Sequence, residues 1–368
     1  MISSTIRLFV LYEVIRSTTP GLAIATLNIM RVIQNPKHDL HAPPVEVENG
    51  AVIPCYECPA RLTSIRTALE SAGGYTFEDP PVAADEAIAA VHDPAYIAYL
   101  RETSAELRRS RGSSPKVQWP TVFPYGPNPR AKGNRALRGQ FCFDTYTPIL
   151  GGTFAAVLGG ASAALRAAEL LATGAEQRVY VLTRPPGHHA ERDRCGGYCY
   201  FNNSALAAER LSKIGKVAIL DLDVHHGNGT QHIFYERSDL LTVSIHGDPN
   251  GLYPFFSGYV DETGAGPGLG FNLNLPLQPG TGPKEYRPAL AKAIDTVSKF
   301  QPAFLVLAFG ADTHETDPIG GFKLPTGFFR EMGSLVRELH LPSTIVQEGG
   351  YTLDALGGCV ASFLAGAS

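Results

Sequence analysis

The sequence predicts an α/β fold in which a central, mostly parallel sheet is covered by helices on both faces. From residue 177 onward, apolar runs alternate with amphipathic stretches, a pattern typical of strand–helix–strand units. The runs are apolar at nearly every position, as in parallel strands that are buried on both faces. We therefore expect an open sheet whose ligands bind beyond the carboxyl ends of its strands.

Two sets of segments supply the elements of this fold. The predicted strands are 30–33, 178–183, 216–222, 240–245, 303–308 and 343–347. The predicted helices lie near 153–173, 203–213, 284–299, 327–340 and 353–365. The stretch at about 101–150 is rich in Pro, Gly and Arg and has little periodicity. We interpret it as an inserted loop within one catalytic domain that spans 30–368.

Residues 1–29 are predicted to be an N-terminal extension. They are apolar and rich in Ser and Thr, and Glu13 is their single acidic residue. No run approaches the roughly 18 apolar residues that a membrane span requires. We expect the product of an upstream start codon or a weak targeting segment, and no membrane partner.

The composition limits the partners and the compartment. A formal net charge of −4 gives no general attraction to nucleic acid, so we expect no direct binding to it. Among six cysteines, Cys55 and Cys58 form a Cys-x-x-Cys pair with no matching second pair, which a structural zinc site would need. Reduced thiols in the cytoplasm are therefore expected, and a nuclear or organellar location stays open.

Polar clusters follow five of the predicted strands. They lie at 184–189, 221–227, 246–248, 310–314 and 348–351 and together carry six histidines. A single His or Asp in such a position is more often a hydrogen-bonded core or loop residue. Burying so many carboxylates at one rim without a cation would be costly. The pattern therefore predicts a bound metal ion.

Asp223, His225 and Asp312 form the predicted ligand set, because catalytic zinc keeps three protein ligands and an open position for water. Alternate residues of a strand share a face, so Asp221 points the same way as Asp223 and His225. We interpret Asp221 as a supporting or cation-site residue and not as a zinc ligand.

Two further motifs predict acid–base chemistry beside the metal. The tandem histidines His188 and His189 are suited to proton transfer, because a metal and carboxylates can adjust their pKa values. Two glycines precede Tyr351, which lets the backbone approach closely and aim the phenol inward.

These motifs together resemble the histone deacetylase and acetylpolyamine amidohydrolase family, most closely its bacterial acetylpolyamine branch. They are Arg-Pro-Pro-Gly-His-His at 184–189, Asp-x-Asp-x-His-His-Gly-Asn-Gly-Thr at 221–230, Asp312 followed by Asp317-Pro-Ile-Gly, and Glu-Gly-Gly-Tyr at 348–351. The stretches that begin at Met30 and Tyr253 resemble the bacterial branch. The resemblance runs from about Met30 to the C-terminus. It implies an arginase-like open α/β fold and a zinc-dependent deacetylase of acetylated amines.

The resemblance also implies a role for each catalytic residue. His189 would be the general base and acid, with Asn228 as its partner. His188, held by Asp221, would give electrostatic help, and Tyr351 would donate a hydrogen bond to the developing oxyanion.

The implied cofactors are one Zn²⁺ per subunit, which Fe²⁺ or Co²⁺ could replace, and a structural K⁺. The zinc ligands would be Asp223, His225 and Asp312. The potassium site would comprise Asp221, Asp223, His225, Ser244 and Ile245. The wall of the acyl tunnel would comprise Gly197, Tyr198 and Tyr253.

Two features depart from the family pattern. Some members carry Asp in place of Asn228, and an amide stabilises imidazolium less than a carboxylate does, so we expect His189 to be less basic. Between Leu107 and Phe143 the chain has eight basic residues and no acid, whereas a polyamine cation would favour carboxylates. In the acetylpolyamine branch this loop forms part of the site and of the dimer interface, so a homodimer through 101–150 is expected.

One alternative stays open, and the motifs argue against two others. The same chemistry could act on acetyl-lysine in proteins, and neither chain length nor the single domain separates this from a small acetylated amine. A catalytically inactive homologue that binds metal or an acyl group should have lost a ligand, a tandem histidine or the tyrosine. An arginase-like manganese hydrolase would need a fuller carboxylate set.

Overall fold

The structure is a computed structural model and describes residues 30–48, 50–110, 117–125 and 134–368. The extension predicted at 1–29 lies outside this range and stays a prediction. The strands of the described chain are β1 Met30–Gln34, β2 Val45–Glu48, β3 Ala51–Pro54, β4 Tyr75–Glu78, β5 Arg178–Leu182, β6 Val217–Asp221, β7 Leu240–Gly247, β8 Asn272–Leu277, β9 Phe304–Phe309 and β10 Ser343–Gln347.

The helices connect these strands. In the same described ranges they are α1 Ala60–Ala72, α2 Asp85–Ala89, α3 Pro94–Arg109, α4 Asn134–Gln140, α5 Thr153–Ala172, α6 Asn203–Ser212, α7 Asn228–Phe234, α8 Pro283–Phe300, α9 Thr326–Arg337 and α10 Leu353–Ala367. All the predicted strands and helices are present, with ends that differ from the prediction by a few residues.

Eight of the described strands form one sheet in the order β4-β1-β5-β10-β9-β6-β7-β8. Every neighbouring pair in it is parallel. Strands β2 and β3 form a separate antiparallel hairpin. The predicted parallel α/β architecture is thus confirmed.

Helices cover both faces of the sheet because its central strands are apolar on both sides. In β5, Tyr180 and Leu182 face one buried cluster, whereas Val179 and Val181 face another. The first cluster includes residues of α1, α8, α9 and α10, and the second includes residues of α3, α5 and α6. The sheet lies between the two cores, and loops follow the ends of its strands.

The edge strands were not predicted from the sequence. The outer strands β4 and β8 contain polar residues between their apolar ones, and both strands are only partly buried. The hairpin β2–β3 carries the sequence Val-Glu-Val-Glu before Asn-Gly, a typical hairpin signal. Short edge strands lack the continuous apolar run that marks the centre of a parallel sheet.

The predicted loop at 101–150 needs a correction. Residues 101–109 belong to helix α3, which buries Tyr96, Leu100 and Thr103 on one face, and residues 134–140 form α4. Apolar residues four apart in α3 were the missed helical signal. Residues 111–116 and 126–133 of this stretch lie outside the described ranges.

Helix α5 is long and apolar enough to cross a membrane by length and composition alone. Of its most apolar window, 67% is buried within the fold, as is usual for the core helix of a globular domain. We therefore interpret α5 as a core helix.

Candidate active site

Loops that follow five neighbouring strands meet at one edge of the sheet. In sheet order these strands are β5, β10, β9, β6 and β7, and each predicted polar cluster lies at the end of one of them. Because the strands are parallel, their carboxyl ends share that edge. The last two strands of the sequence lie between β5 and β6, which brings residues 184–189 and 348–351 next to residues 221–226.

Asp223, His225 and Asp312 come together at this edge. Nδ1 of His225 lies 3.2 Å from Oδ1 of Asp223 and 3.3 Å from Oδ2 of Asp312. One ligand atom from each residue lies within 4.8 Å of the others, and all three side chains are buried. Within the described chain, Oδ2 of Asp312 is buried but makes no hydrogen bond. A buried carboxylate oxygen of this kind fits a cation as its partner.

The electrostatics of this cluster also favour a cation. Burial and then the charge of Asp223 raise the pKa of Asp312 to about 7. Burial lowers the pKa of His225, but contacts with both carboxylates outweigh it and raise the pKa to about 10. Two buried carboxylates that repel each other are stabilised by a shared positive ion. The donor set therefore fits a zinc ion, with two carboxylates and one imidazole.

Glycines lie where a side chain would collide with the cluster. A Cβ on Gly310 or Gly349 would overlap the carboxylates of Asp223 and Asp312. Gly350 has a φ of +119°, which residues with a Cβ rarely adopt. The backbone at the two glycines before Tyr351 therefore lies close to its neighbours, as the sequence predicted.

The tandem histidines lie beside the cluster, each with a different partner. Nδ1 of His188 lies 2.9 Å from Oδ2 of Asp221. Nδ1 of His189 lies 2.7 Å from Oδ1 of Asn228. The two imidazole rings are 4.0 Å apart between centroids. The structure thus brings together all four residues.

The partners and burial shift the pKa values of the two histidines in opposite directions. Burial lowers the pKa of His188, but the charges of Asp223 and Asp221 raise it to about 10. Burial, and then the charges of His188 and His225, hold the pKa of His189 well below its usual value. The sequence predicted a less basic His189 because its partner is Asn228. Its pKa is indeed lowered, but burial is the largest cause, and the hydrogen bond with Asn228 acts in the other direction and raises it. These surroundings therefore disfavour the protonated form of His189 and favour the protonated form of His188.

Tyr351 enters the site from the loop after β10. Its ring is 5.7 Å from that of Tyr198, and the guanidinium of Arg61 lies 4.7 Å from its centroid. Nε of Arg61 also donates to the Gly350 carbonyl at 2.7 Å, and the Tyr351 amide donates to Asp317 at 2.8 Å. These contacts fix the ring without using its hydroxyl.

A pocket of about 270 Å³ opens onto these groups. The predicted wall residues Gly197, Tyr198 and Tyr253 all line it. The ring of Tyr253 lies 4.9 Å from that of His189 in an edge-to-face arrangement. The remaining lining residues are Glu46, Glu48, Tyr146, His189, His225, Gly251, Leu252, Phe255, Pro318, Ile319 and Tyr351.

Asp144 supports this wall and was missed in the sequence. Its Oδ2 accepts hydrogen bonds from the Gly197 amide at 2.5 Å and from the Tyr253 hydroxyl at 2.7 Å. Burial raises the pKa of Asp144, although these hydrogen bonds lower it. No local motif marks this residue, because its partners lie 53 and 109 positions away.

Two acidic residues of β2 also line the pocket and were missed. Glu46 is buried and accepts a hydrogen bond from the Tyr198 hydroxyl at 3.0 Å. Burial raises the pKa of Glu46. Glu48 is partly exposed at the same pocket. Their alternation before Asn-Gly was the available signal, since residues two apart in a strand share a face.

Three of the six rim histidines do not join the catalytic cluster. His226 and His246 pack against each other at 4.6 Å, and His246 contacts the Gly258 carbonyl. His314 contacts the hydroxyls of Thr316 and Thr326. None of these three was in the predicted ligand or catalytic set, and their contacts are those of hydrogen-bonded structural residues.

The residues expected to hold potassium lie close together. Asp221 of β6 pairs in register with Ser244 of β7, and both line a small cavity. Ile245 is the next residue of β7, and the Asp223 amide donates to Oδ1 of Asp221 at 3.1 Å. The geometry leaves the potassium site a prediction.

Comparisons with known proteins identify the family of this chain. Residues 55–367 match the family model described as the histone deacetylase domain. The chain is 39% identical to acetylpolyamine amidohydrolase 1 of Pseudomonas aeruginosa, over 89% of this chain and 96% of that protein. It is 38% identical to acetylpolyamine amidohydrolase of Mycoplana ramosa, over 92% and 99% of the two chains.

A solved structure shows the same architecture. The crystal structure of acetylpolyamine aminohydrolase from Burkholderia pseudomallei superposes with a TM-score of 0.87 at 37% identity, over 92% of this chain and 98% of that one. The arginase-like and deacetylase-like fold that the motifs implied is therefore confirmed, and this chain belongs to the histone deacetylase domain family.

Proposed function

We propose that this protein is a zinc-dependent amidohydrolase that removes acetyl groups from acetylated amines, with acetylpolyamines as the preferred class. The observation that carries the proposal is the cluster of Asp223, His225 and Asp312 beside His189 and Tyr351 in one pocket. The named activity of the three relatives supports the same chemistry.

Asp223, His225 and Asp312 would hold the zinc ion. When bound, zinc polarises a carbonyl oxygen and makes water a stronger nucleophile. The unsatisfied Oδ2 of Asp312 supports this assignment. Iron(II) or cobalt(II) would suit the same ligands.

The side chains around the ion would carry the proton transfers. His189 is neutral, so it can accept a proton from water and later give it to the leaving amine. The Tyr351 hydroxyl donates a hydrogen bond to the carbonyl oxygen as negative charge develops there. His188, protonated and held by Asp221, supplies positive charge beside the reacting groups.

The pocket supports a cationic substrate. Glu46 and Glu48 line it, so an amine at the far end of a short chain would meet a carboxylate. Arg108, from the basic stretch, donates instead to the Gly151 carbonyl at 3.1 and 3.2 Å. Arg111, Lys116, Arg130 and Lys132 lie outside the described residues.

Glu48→Gln is expected to raise KM for acetylputrescine by about two- to fivefold, because a partly exposed ion pair contributes up to ~1 kcal/mol. Turnover should change little, since Glu48 has no role in the proposed proton transfers. The matched substrate is N-acetylbutylamine, which has a similar length and no charge. An equal rise in KM for both substrates would contradict electrostatic recognition.

Protein lysine deacetylation is the alternative, and a parallel assay tests both. Purified protein with zinc is assayed on acetylputrescine, acetylspermine and an acetyl-lysine peptide. We expect higher kcat/KM on the acetylpolyamines. A clear preference for the peptide would favour the alternative, and no hydrolysis of any substrate would refute the proposed function.

We also infer that the protein is a homodimer through the 101–150 stretch. Val122, Phe123 and Tyr125 are exposed by 66%, 36% and 100%. Apolar groups presented together in this way typically mark an interface, and a second copy would cover them by two-fold symmetry.

Val122→Asp combined with Tyr125→Asp is expected to give a monomer, because two charges would have to be buried in the interface. Light scattering at micromolar concentration measures the change against the wild-type dimer. Val82→Asp, at an exposed apolar residue outside this stretch, is the control and should stay dimeric. A wild-type protein that is monomeric and fully active would refute the inference.

The remaining assignments are proposals of the same kind. They are a catalytic domain at 30–368, a structural K⁺ near Asp221 and Ser244, and a cytoplasmic location. The six cysteines, all of them among the described residues and unpaired, support a reducing compartment.

A further inference from the structure

A chain of side chains leads from the proposed base to the protein surface. Nδ1 of His189 contacts Oδ1 of Asn228 at 2.7 Å. Nδ2 of Asn228 donates to Oε1 of Glu191 at 3.3 Å. The same Oε1 lies 2.9 Å from Nδ1 of His232, whose side chain is 47% exposed.

The order of atoms in this chain matters because an amide has two different ends. Asn228 accepts at Oδ1 and donates at Nδ2. A carboxylate can only accept, so Glu191 holds the NH₂ end toward itself and leaves Oδ1 facing His189. His189 must then place its N–H at Nδ1, which leaves Nε2 as the basic nitrogen.

Glu191 is an anion in this setting. Burial raises its pKa, but the hydrogen bond and charge of His232, followed by the charge of Arg194 and the hydrogen bond of Asn228, lower it below the usual value. Arg194 lies 3.6 Å from Oε2, and the charge of Glu262 also raises the pKa of His232. A negative charge therefore stands one amide away from the base.

We propose that Glu191 is a positioning residue of the reaction, whose carboxylate acts through Asn228 to fix the tautomer of His189 and to stabilise its imidazolium. This inference rests on the proposed function, in which His189 accepts and returns a proton. Asn228 is neutral, and Glu191 supplies the negative charge next to it. The carboxylate is supplied by a neighbouring loop and not by residue 228.

Glu191→Gln is the test. It keeps the size of the side chain and removes the charge, and its own NH₂ can turn toward Asn228 and reverse that amide. We expect kcat for acetylputrescine to fall about tenfold, as when a partner that orients a functional histidine is lost. KM should stay within about twofold, because Glu191 does not line the pocket. Zinc content and melting temperature should match the wild type.

Asp193→Asn is the matched control, since Asp193 is an exposed acid on the same loop and beside the same Arg194. It should keep wild-type kcat. A fall in kcat of similar size in Asp193→Asn, or an unchanged kcat in Glu191→Gln, would overturn the proposal.

A second variant relocates the charge. Asn228→Asp alone places two carboxylates about as close as Asn228 and Glu191 now are, at 3.3 Å, and should lower kcat. When Asn228→Asp is combined with Glu191→Gln, the glutamine can donate to the carboxylate introduced at position 228, and kcat should recover above that of either single variant. A double variant no better than the better single one would overturn the proposal. Wild-type protein without activity would instead refute the proposed function.

Discussion

Asp312→Ala is expected to abolish hydrolysis of acetylated amines and to remove zinc from the folded protein. Asp312 is one of the three proposed ligands, and its Oδ2 makes no hydrogen bond in the described chain. Two ligands hold a catalytic metal far more weakly than three. Asp223→Ala and His225→Ala should have the same effect.

The measurement is zinc per subunit by elemental analysis, made together with a melting curve. Asp223→Ala is harder to interpret than Asp312→Ala. Oδ2 of Asp223 also accepts a hydrogen bond from the Gly349 amide at 2.8 Å, so its removal disturbs that loop as well. Asp261→Ala, at an exposed acid in the 254–265 loop, should keep both zinc and activity. Full zinc content in all three ligand variants would show that the metal site has been assigned wrongly.

Tyr351→Phe should lower turnover on the order of 100- to 1000-fold, the usual effect of losing one donor to a developing oxyanion. The variant keeps the ring contacts with Tyr198 and Arg61, so folding and zinc content should be unchanged. KM should change little, because the hydrogen bond strengthens only in the transition state. His189→Ala should be at least as damaging.

Steady-state kinetics on acetylputrescine, with zinc content measured on the same sample, test this prediction. Tyr146→Phe is the control, since Tyr146 lines the same pocket and has no role in the proposed proton transfers. Near-normal turnover by Tyr351→Phe would make the tyrosine a wall residue only. The deacetylase mechanism would then depend on the metal cluster alone.

The centre of the sheet and the catalytic motifs were predictable because each depends on local sequence. The buried strands are continuous apolar runs, and the ligands follow them within a few residues. The sequence showed six histidines at the rim but gave no role to His226, His246 and His314. Their directions depend on packing partners such as Gly258 and Thr326.

Residues that act through distant partners could not be predicted. Glu191 meets Asn228 37 positions away, and Asp144 meets Tyr253 109 positions away. Neither pair has a local signature, because the contact exists only once the sheet order has brought two loops together. The acidic strand β2 was different, since its alternation before a hairpin signal was visible and went unused.

The position of β10 has a consequence for synthesis of the protein. This strand is the last of the described chain, yet it lies in the middle of the sheet between β5 and β9. Until residues 343–347 have left the ribosome, a nascent chain carries two apolar strand edges without their shared neighbour, and such edges are prone to aggregation. Tyr351 follows β10 by four residues. A chain interrupted before this point would therefore lack both a continuous sheet and the proposed oxyanion donor.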